Sequence, residues 1–194
     1  MAFTDLLDLR TAVIEHVQRP DIADVFPRLV LLAEANFNRR LRLKDQITST
    51  TVTIASGSAA LPADFLAVIG LYDTNGYEYI EQPIHAVKTS GTTHYYAISG
   101  GNIVTKIADG SKTLEYYAKV PTISGSMTAT NWLLTAAPAL YLYGVGLEAA
   151  KYIRDVNMAQ ATAQILEDEY AAVLAQDDSA RYSAARVRVQ GTIA

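Results

Sequence analysis

The chain has 194 residues, 50% of them hydrophobic and 19% charged, with a formal net charge of -4 and no cysteine. That composition supports one sizeable core or two small ones and argues against long disorder. It excludes disulfides, thiolate nucleophiles and Cys-ligated zinc, and a mildly acidic balance does not favour general nucleic-acid binding, which needs a clustered positive surface.

In "TDLLDLRTAVIEHVQ", Leu6, Leu7, Arg10, Val13, Ile14 and Val17 recur at helical spacing, with Thr4 or Asp5 as N-cap. Early acids and the lack of a basic n-region argue against a signal peptide and predict a cytoplasmic product. Pro20 ends this helix by disfavouring the helical conformation at Arg19. A second helix is expected with Ile22, Val25, Phe26, Leu29, Leu32, Ala33, Phe37 and Leu41 on one face. Pro27 belongs in its first turn and Asp24 is its expected N-cap. Arg39, Arg40, Arg42 and Lys44 gather at its end, where the macrodipole favours cations.

From about Gln46 the pattern changes. "ITSTTVTIA" reads as a strand, "SGSAA" as a turn and "FLAVIGLY" as a buried strand. Asn75-Gly76 predicts a type I′ hairpin turn with positive φ at both residues. "HYYAISGGNIVTKI" predicts a second hairpin at Gly100-Gly101, "KTLEYYAKV" a further strand, and "QPIHAVKT" a short helix on the sheet.

The most apolar run, "NWLLTAAPALYLYGVGLEAAKYI" over 131–153, is not a membrane span. A span needs roughly 20 continuous apolar residues, and Pro138, Glu148 and Lys151 interrupt this one. It divides into a lead-in, whose Trp132 and leucines are expected to anchor the β lobe, and a central bundle helix from Pro138 to about Arg154. Asn157-Met-Ala-Gln160 resembles a capping box for another helix, with Ile165, Leu166, Glu169, Val173 and Leu174 along one side. Arg186-Val187-Arg188-Val189 alternates as a strand would.

The expected fold class is therefore α+β. Residues 1–45 and 132–180 form a helical bundle, 46–131 a β-rich lobe inserted between its halves, and 181–194 an extended C-terminal arm.

Chemical motifs are sparse. His16, His85 and His94 lack metal-ligand spacing, the glycine turns do not follow phosphate-loop spacing, and no nucleophile elbow is present. No catalytic residue, metal or cofactor is expected. Asp64 and Glu78 are the carboxylates that a glycan-degrading reading would use. The basic residues Arg39, Arg40, Arg42 and Lys44 read either as a satisfied helix end or as a partner-facing patch.

Several segments in order resemble the head–tail adaptor proteins of tailed bacteriophages. They are "FPRLVLLAEANFNRRLRLKD", "LPADFLAVIGLY", "HYYAISGGNIV", "LEYYAKVP", "TNWLLTAAPALYLYGVGLEAAKYI" and "DDSARYSAARVRV". The resemblance implies a non-enzymatic virion protein at the head–tail junction, made in the host cytoplasm. It implies docking on the portal protein after packaging, a platform for a tail or nozzle protein, and passage of DNA without sequence-specific binding. It also implies a homo-oligomeric ring of about twelve subunits, closed by heterologous contacts. The arm, with Arg181, Tyr182, Arg186, Val187, Arg188 and Val189, is the implied portal contact. Trp132, Tyr141, Tyr143, Gly144 and Leu147 are candidates for packing within the bundle or between subunits. The alternatives are a tail-associated glycan-binding or peptidoglycan-degrading virion protein, and a tail-completion protein.

Overall fold

The computed structural model describes residues 3–182. Its helices are α1 (Leu6–Val17), α2 (Phe26–Arg40), α3 (Ile84–Thr89), α4 (Trp132–Ala136), α5 (Pro138–Ile153) and α6 (Val156–Tyr182). Its strands are β1 (Ile47–Ile54), β2 (Ser58–Ala60), β3 (Phe65–Tyr72), β4 (Glu78–Glu81), β5 (Tyr95–Ser99), β6 (Asn102–Thr105) and β7 (Gly110–Ala118). The class is α+β, with helix pairs on both sides of a β-rich insertion. The chain divides into two compact units, one built from the chain up to Lys44 and from Val120 onward, the other Asp45–Lys119. The segment 120–131, expected in the β lobe, thus groups with the helices. The reason is burial: Val120 and Ile123 sit in the helical core.

In the helical unit, α1 starts at Asp5, whose side chain accepts from the Asp8 N–H, and ends at Gln18 in the left-handed region. Leu6, Leu9, Val13 and Val17 are its buried face, and Leu7 is exposed. The expected cap at Asp24 is not used. Pro20–Asp24 already turn as a 3-10 helix, Val25 takes the N-cap position without a side-chain bond, and Pro27 lies in the first turn as expected. Leu32, expected inside, is 52% exposed, while Val30 and Glu34 are buried.

Helix α4 is capped by Asn131, and α5 ends at Arg154 in the left-handed region. The expected cap at Asn157 is displaced by Asp155, whose Oδ1 accepts from the Met158 N–H at 2.9 Å. Only Arg154 and Asp155 separate α5 from α6, so the two pack antiparallel as a hairpin. On α6 the buried positions are Thr162, Leu166, Tyr170 and Asp177; Ile165 and Leu174 are exposed at its margins.

The β unit has a seven-stranded sheet in the order β1-β7-β3-β4-β5-β6-β2. All neighbours are antiparallel except β4 and β5, whose parallel pairing is made possible by the crossover through α3. Val52, Ile54, Leu71, Tyr96, Ile103 and Leu114 form its own core. Gly100 and Gly101 have φ of 59° and 78° between paired Ser99 and Asn102, as a type I′ turn requires. The other hairpin departs from expectation. Gly76 has φ of 86°, but Asn75 does not have positive φ. The Gly76 N–H donates to the Asp73 carbonyl at 3.2 Å, and the Asp73 carboxylate accepts from the N–H groups of Asn75 and Tyr77. This is a three-residue loop closed by an aspartate, which a dipeptide signal does not distinguish from type I′.

The two α5 glycines behave differently. A Cβ on Gly144 would lie 2.6 Å from Phe37 Cζ, whereas one on Gly146 would meet His16 Cδ2 at 3.4 Å. Phe37 is fully buried, so its ring cannot yield freely. Gly144→Ala is expected to destabilise by up to about 2 kcal/mol, an overpacking cost of about 1–3 less a helical gain of about 1. Gly146→Ala is expected to be neutral or stabilising by up to about 1 kcal/mol. Urea unfolding of the two variants checks this, and equal effects would refute the packing account.

Candidate functional site

The apolar helix α5 turns most of its expected interface residues inward. Tyr141 and Gly144 are buried against Phe37 of α2, with the Phe37 and Tyr141 rings edge-to-face at 5.0 Å. Tyr143 is half-buried, edge-on to His16 at 5.7 Å. Trp132 is half-buried against the helical core, while Leu133 and Leu134 are fully inside it. Leu147 lines an open apolar groove of about 470 Å³ with Ala150, Val156 and Ala159, where α5 passes into α6.

A polar hub sits beneath these side chains. Glu34 of α2 is 3% exposed. Its carboxylate accepts from the Thr122 hydroxyl at 2.6 Å, the Ile123 N–H at 2.9 Å and the Tyr141 hydroxyl at 3.2 Å. The Asn131 amide donates to the Tyr141 oxygen at 2.7 Å and to the Pro121 carbonyl at 2.6 Å, and its Oδ1 accepts from the Leu134 N–H. Burial pushes the Glu34 carboxyl above its ordinary range, against the pull of its three donors. Burial, with the Glu34 charge beside it, also raises the Tyr141 hydroxyl.

The basic run is largely consumed within the chain. Arg40 pairs in a two-pronged fashion with Glu167 of α6, its guanidinium 3.8 Å over the Tyr170 ring. Burial raises the Tyr170 hydroxyl to about 12. Arg42 donates to the carbonyls of Asn38 and Leu41, and Arg39 to the Ala35 carbonyl and Asn36 Oδ1. The Lys44 N–H donates to buried Asp177 at 2.9 Å. Arg181, in the last turn of α6, donates to Asp177 at 2.6 Å and to the Arg42 carbonyl at 2.7 Å. Tyr182 ends α6, and Arg186, Val187, Arg188 and Val189 lie outside the described residues.

The carboxylates of the glycan reading are not a pair. Asp64 precedes β3, and Glu78 pairs with Tyr72 at its far end. At about 3.3 Å per residue they stand about 25 Å apart, beyond the roughly 5–9.5 Å that glycosidase carboxylates span. Asp64 instead accepts from the Tyr116 hydroxyl at 3.0 Å. His94 stacks on Tyr79, and His85 lies on α3. Among the described residues no group of three or more His, Asp or Glu is placed to hold a metal ion, and no helix is long and apolar enough to cross a membrane.

The residues singled out by sequence are thus held mainly in packing and hydrogen-bond contacts within the chain. A family model described as SU10 adaptor protein matches residues 4–190. The chain belongs to this family of phage head-to-tail adaptors. No curated protein matches the chain. The match covers both compact units and extends beyond α6 to residue 190. In this family member the helical unit is organised around Glu34, a residue that sequence reasoning passed over. Its signal was there: Glu34 is four residues after Val30 and three before Phe37, an acid on the apolar face of a helix.

The raised Glu34 gives a pH signature. Below the ordinary carboxylate value, 4.5 here, the group is neutral in both folded and unfolded chains. As pH rises the unfolded chain ionises first, so the folded state holds the extra proton and loses stability until its own Glu34 ionises. Wild-type stability relative to Glu34→Gln is expected to fall as pH rises from 4.5 towards neutrality, measured by urea unfolding. A flat difference across that range would sink the account. Glu34→Ala, which strands the Tyr141 and Ile123 donors, is expected to cost about 2–4 kcal/mol.

Proposed function

We propose that the chain docks on the portal protein, closes with other copies into a ring of about twelve subunits, and extends the DNA channel as a platform for tail components. The single observation that carries this reading is the adaptor family match over residues 4–190. Its reach into the arm supports Arg181, Tyr182 and Arg186 to Val189 as the portal contact. The alternation of Arg186-Val187-Arg188-Val189 suits strand addition to an exposed edge, with backbone bonds for affinity and alternate side chains for specificity. The action is assembly: docking, ring closure and sealing of the channel, with no bond made or broken. The net charge of -4 suits a conduit to which DNA must not adhere.

Electron microscopy of the purified protein mixed with its portal tests this reading, with rings beneath the portal as the expected result. Deleting 183–194 is expected to abolish docking, and Arg186→Glu with Arg188→Glu to weaken it by about tenfold or more. Protein that stays unbound with or without the arm would overturn the proposal.

A further inference from the structure

Two helix faces of the helical unit are exposed and match one another. On α2, Arg28, Leu31, Leu32, Ala35 and Arg39 lie on one solvent-facing side. Leu31 and Leu32 are 49% and 52% exposed there, an unusual placement for adjacent leucines in a helix with an otherwise complete buried face. On α6, Asp168, Ala171, Ala172, Ala175 and Asp178 form the side opposite Leu166 and Tyr170, and all five are exposed. None of the ion pairs among the described residues involves Arg28, Asp168 or Asp178.

The spacing agrees as well as the chemistry. Arg28 and Arg39 are about 16 Å apart along α2, and Asp168 and Asp178 about 15 Å apart along α6, at about 1.5 Å per residue. Between the arginines stand two large side chains; between the aspartates stand only alanines. Leucines fit over small residues where helices approach closely, and each guanidinium then meets a carboxylate at either end.

We infer that α6 of one copy docks along α2 of the next, Leu31 and Leu32 over the alanines and Arg28 and Arg39 on Asp168 and Asp178. The inference deepens the ring reading proposed above and rests on it. Because the two faces are different surfaces of one unit, the contact is heterologous, the kind that repeats from copy to copy and closes into a ring. Its apolar part is two half-exposed leucines, well short of the roughly 1,200–2,000 Å² that stable complexes bury. A single contact is therefore weak, and it forms at high concentration or where a template aligns the copies.

The lack of cysteine makes the contact directly testable. A Leu32→Cys copy mixed with an Ala172→Cys copy is expected to give disulfide-linked pairs, both with the portal and in concentrated protein without it. Charge reversal supplies the second arm. Arg28→Glu with Arg39→Glu makes both faces acidic, and Asp168→Arg with Asp178→Arg makes both basic. Each variant alone is expected to lose ring formation on the portal by about tenfold or more in half-saturating concentration, with an unchanged melting temperature. An equal mixture is expected to restore rings, since the copies then alternate. Wild-type rings with neither cross-link nor charge effect would overturn this contact and leave the portal reading standing. Wild-type protein that never binds the portal, together with Leu32→Cys and Ala172→Cys copies that still cross-link in solution, would sink the portal reading alone. Failure of both observations overturns both.

Discussion

The helical unit depends on one buried carboxylate. Glu34 is on α2, before the β-rich insertion, yet its three donors come from Thr122, Ile123 and Tyr141, all after it. A carboxylate at 3% exposure is tolerable only where its charge or its proton is matched by hydrogen bonds. That condition holds only when the returning chain lies against α2. Asn131 extends the condition by holding the Tyr141 hydroxyl and capping α4 together. One group thus ties α2, the 120–131 connector, α4 and α5. Hydrophobic burial alone is non-directional and would leave their register loose.

The aromatic packing around the hub explains why the basic run is not a free patch. Phe37 meets Tyr141 on one side and Tyr170 on the other. Tyr170 carries Arg40 on its face, and Arg40 is held by Glu167 one turn earlier on α6. An exposed ion pair is worth little by itself, but here it keeps a guanidinium over a ring that closes the core. The cations at the end of α2 therefore act mainly within the chain. The helix-end reading and the partner-patch reading of Arg39, Arg40, Arg42 and Lys44 differ residue by residue: Arg40 and Arg42 are engaged internally, while Arg39 stays on the exposed side of α2.

How much was legible follows from the range of the signals. Most strands, the Gly100-Gly101 hairpin and α5 could be read because their cues are local: β-branched runs, paired glycines and Pro138; the expected turn "SGSAA" instead carries β2 at Ser58–Ala60, too short and small a strand to leave a pattern. The family was legible too, since segment order along the chain needs no geometry. Caps were misplaced at Asp24 and Asn157 because several residues within a few positions can serve, and the choice falls to the neighbouring turn. Leu32, expected on the apolar face, is exposed, and Glu34, not counted on it, is buried, because helical periodicity fixes a stripe only to within a residue or two. Which side of that stripe is covered depended on a partner segment some ninety residues away in the chain, about the separation of Glu34 and Ile123. The glycan carboxylates failed for a similar reason: 64 and 78 are close in sequence, and a strand holds them apart.

The two points where the chain leaves and rejoins the helical unit are both pinned. The Lys44 N–H is held by Asp177 of α6, and the Val120 N–H by Asn38 Oδ1 of α2 at 2.8 Å. Each bond satisfies a backbone donor at a place where no helix or strand does so, which is the requirement that makes irregular chain expensive to bury. Neither bond uses a residue of the β unit, and the β unit has its own core around Leu71, Ile103 and Leu114. The helical unit can therefore fix its own connector geometry whatever is inserted there. Asp177 also holds Arg181 in the last turn of α6. The same carboxylate thus holds both the last residue before the insertion and the last turn of α6.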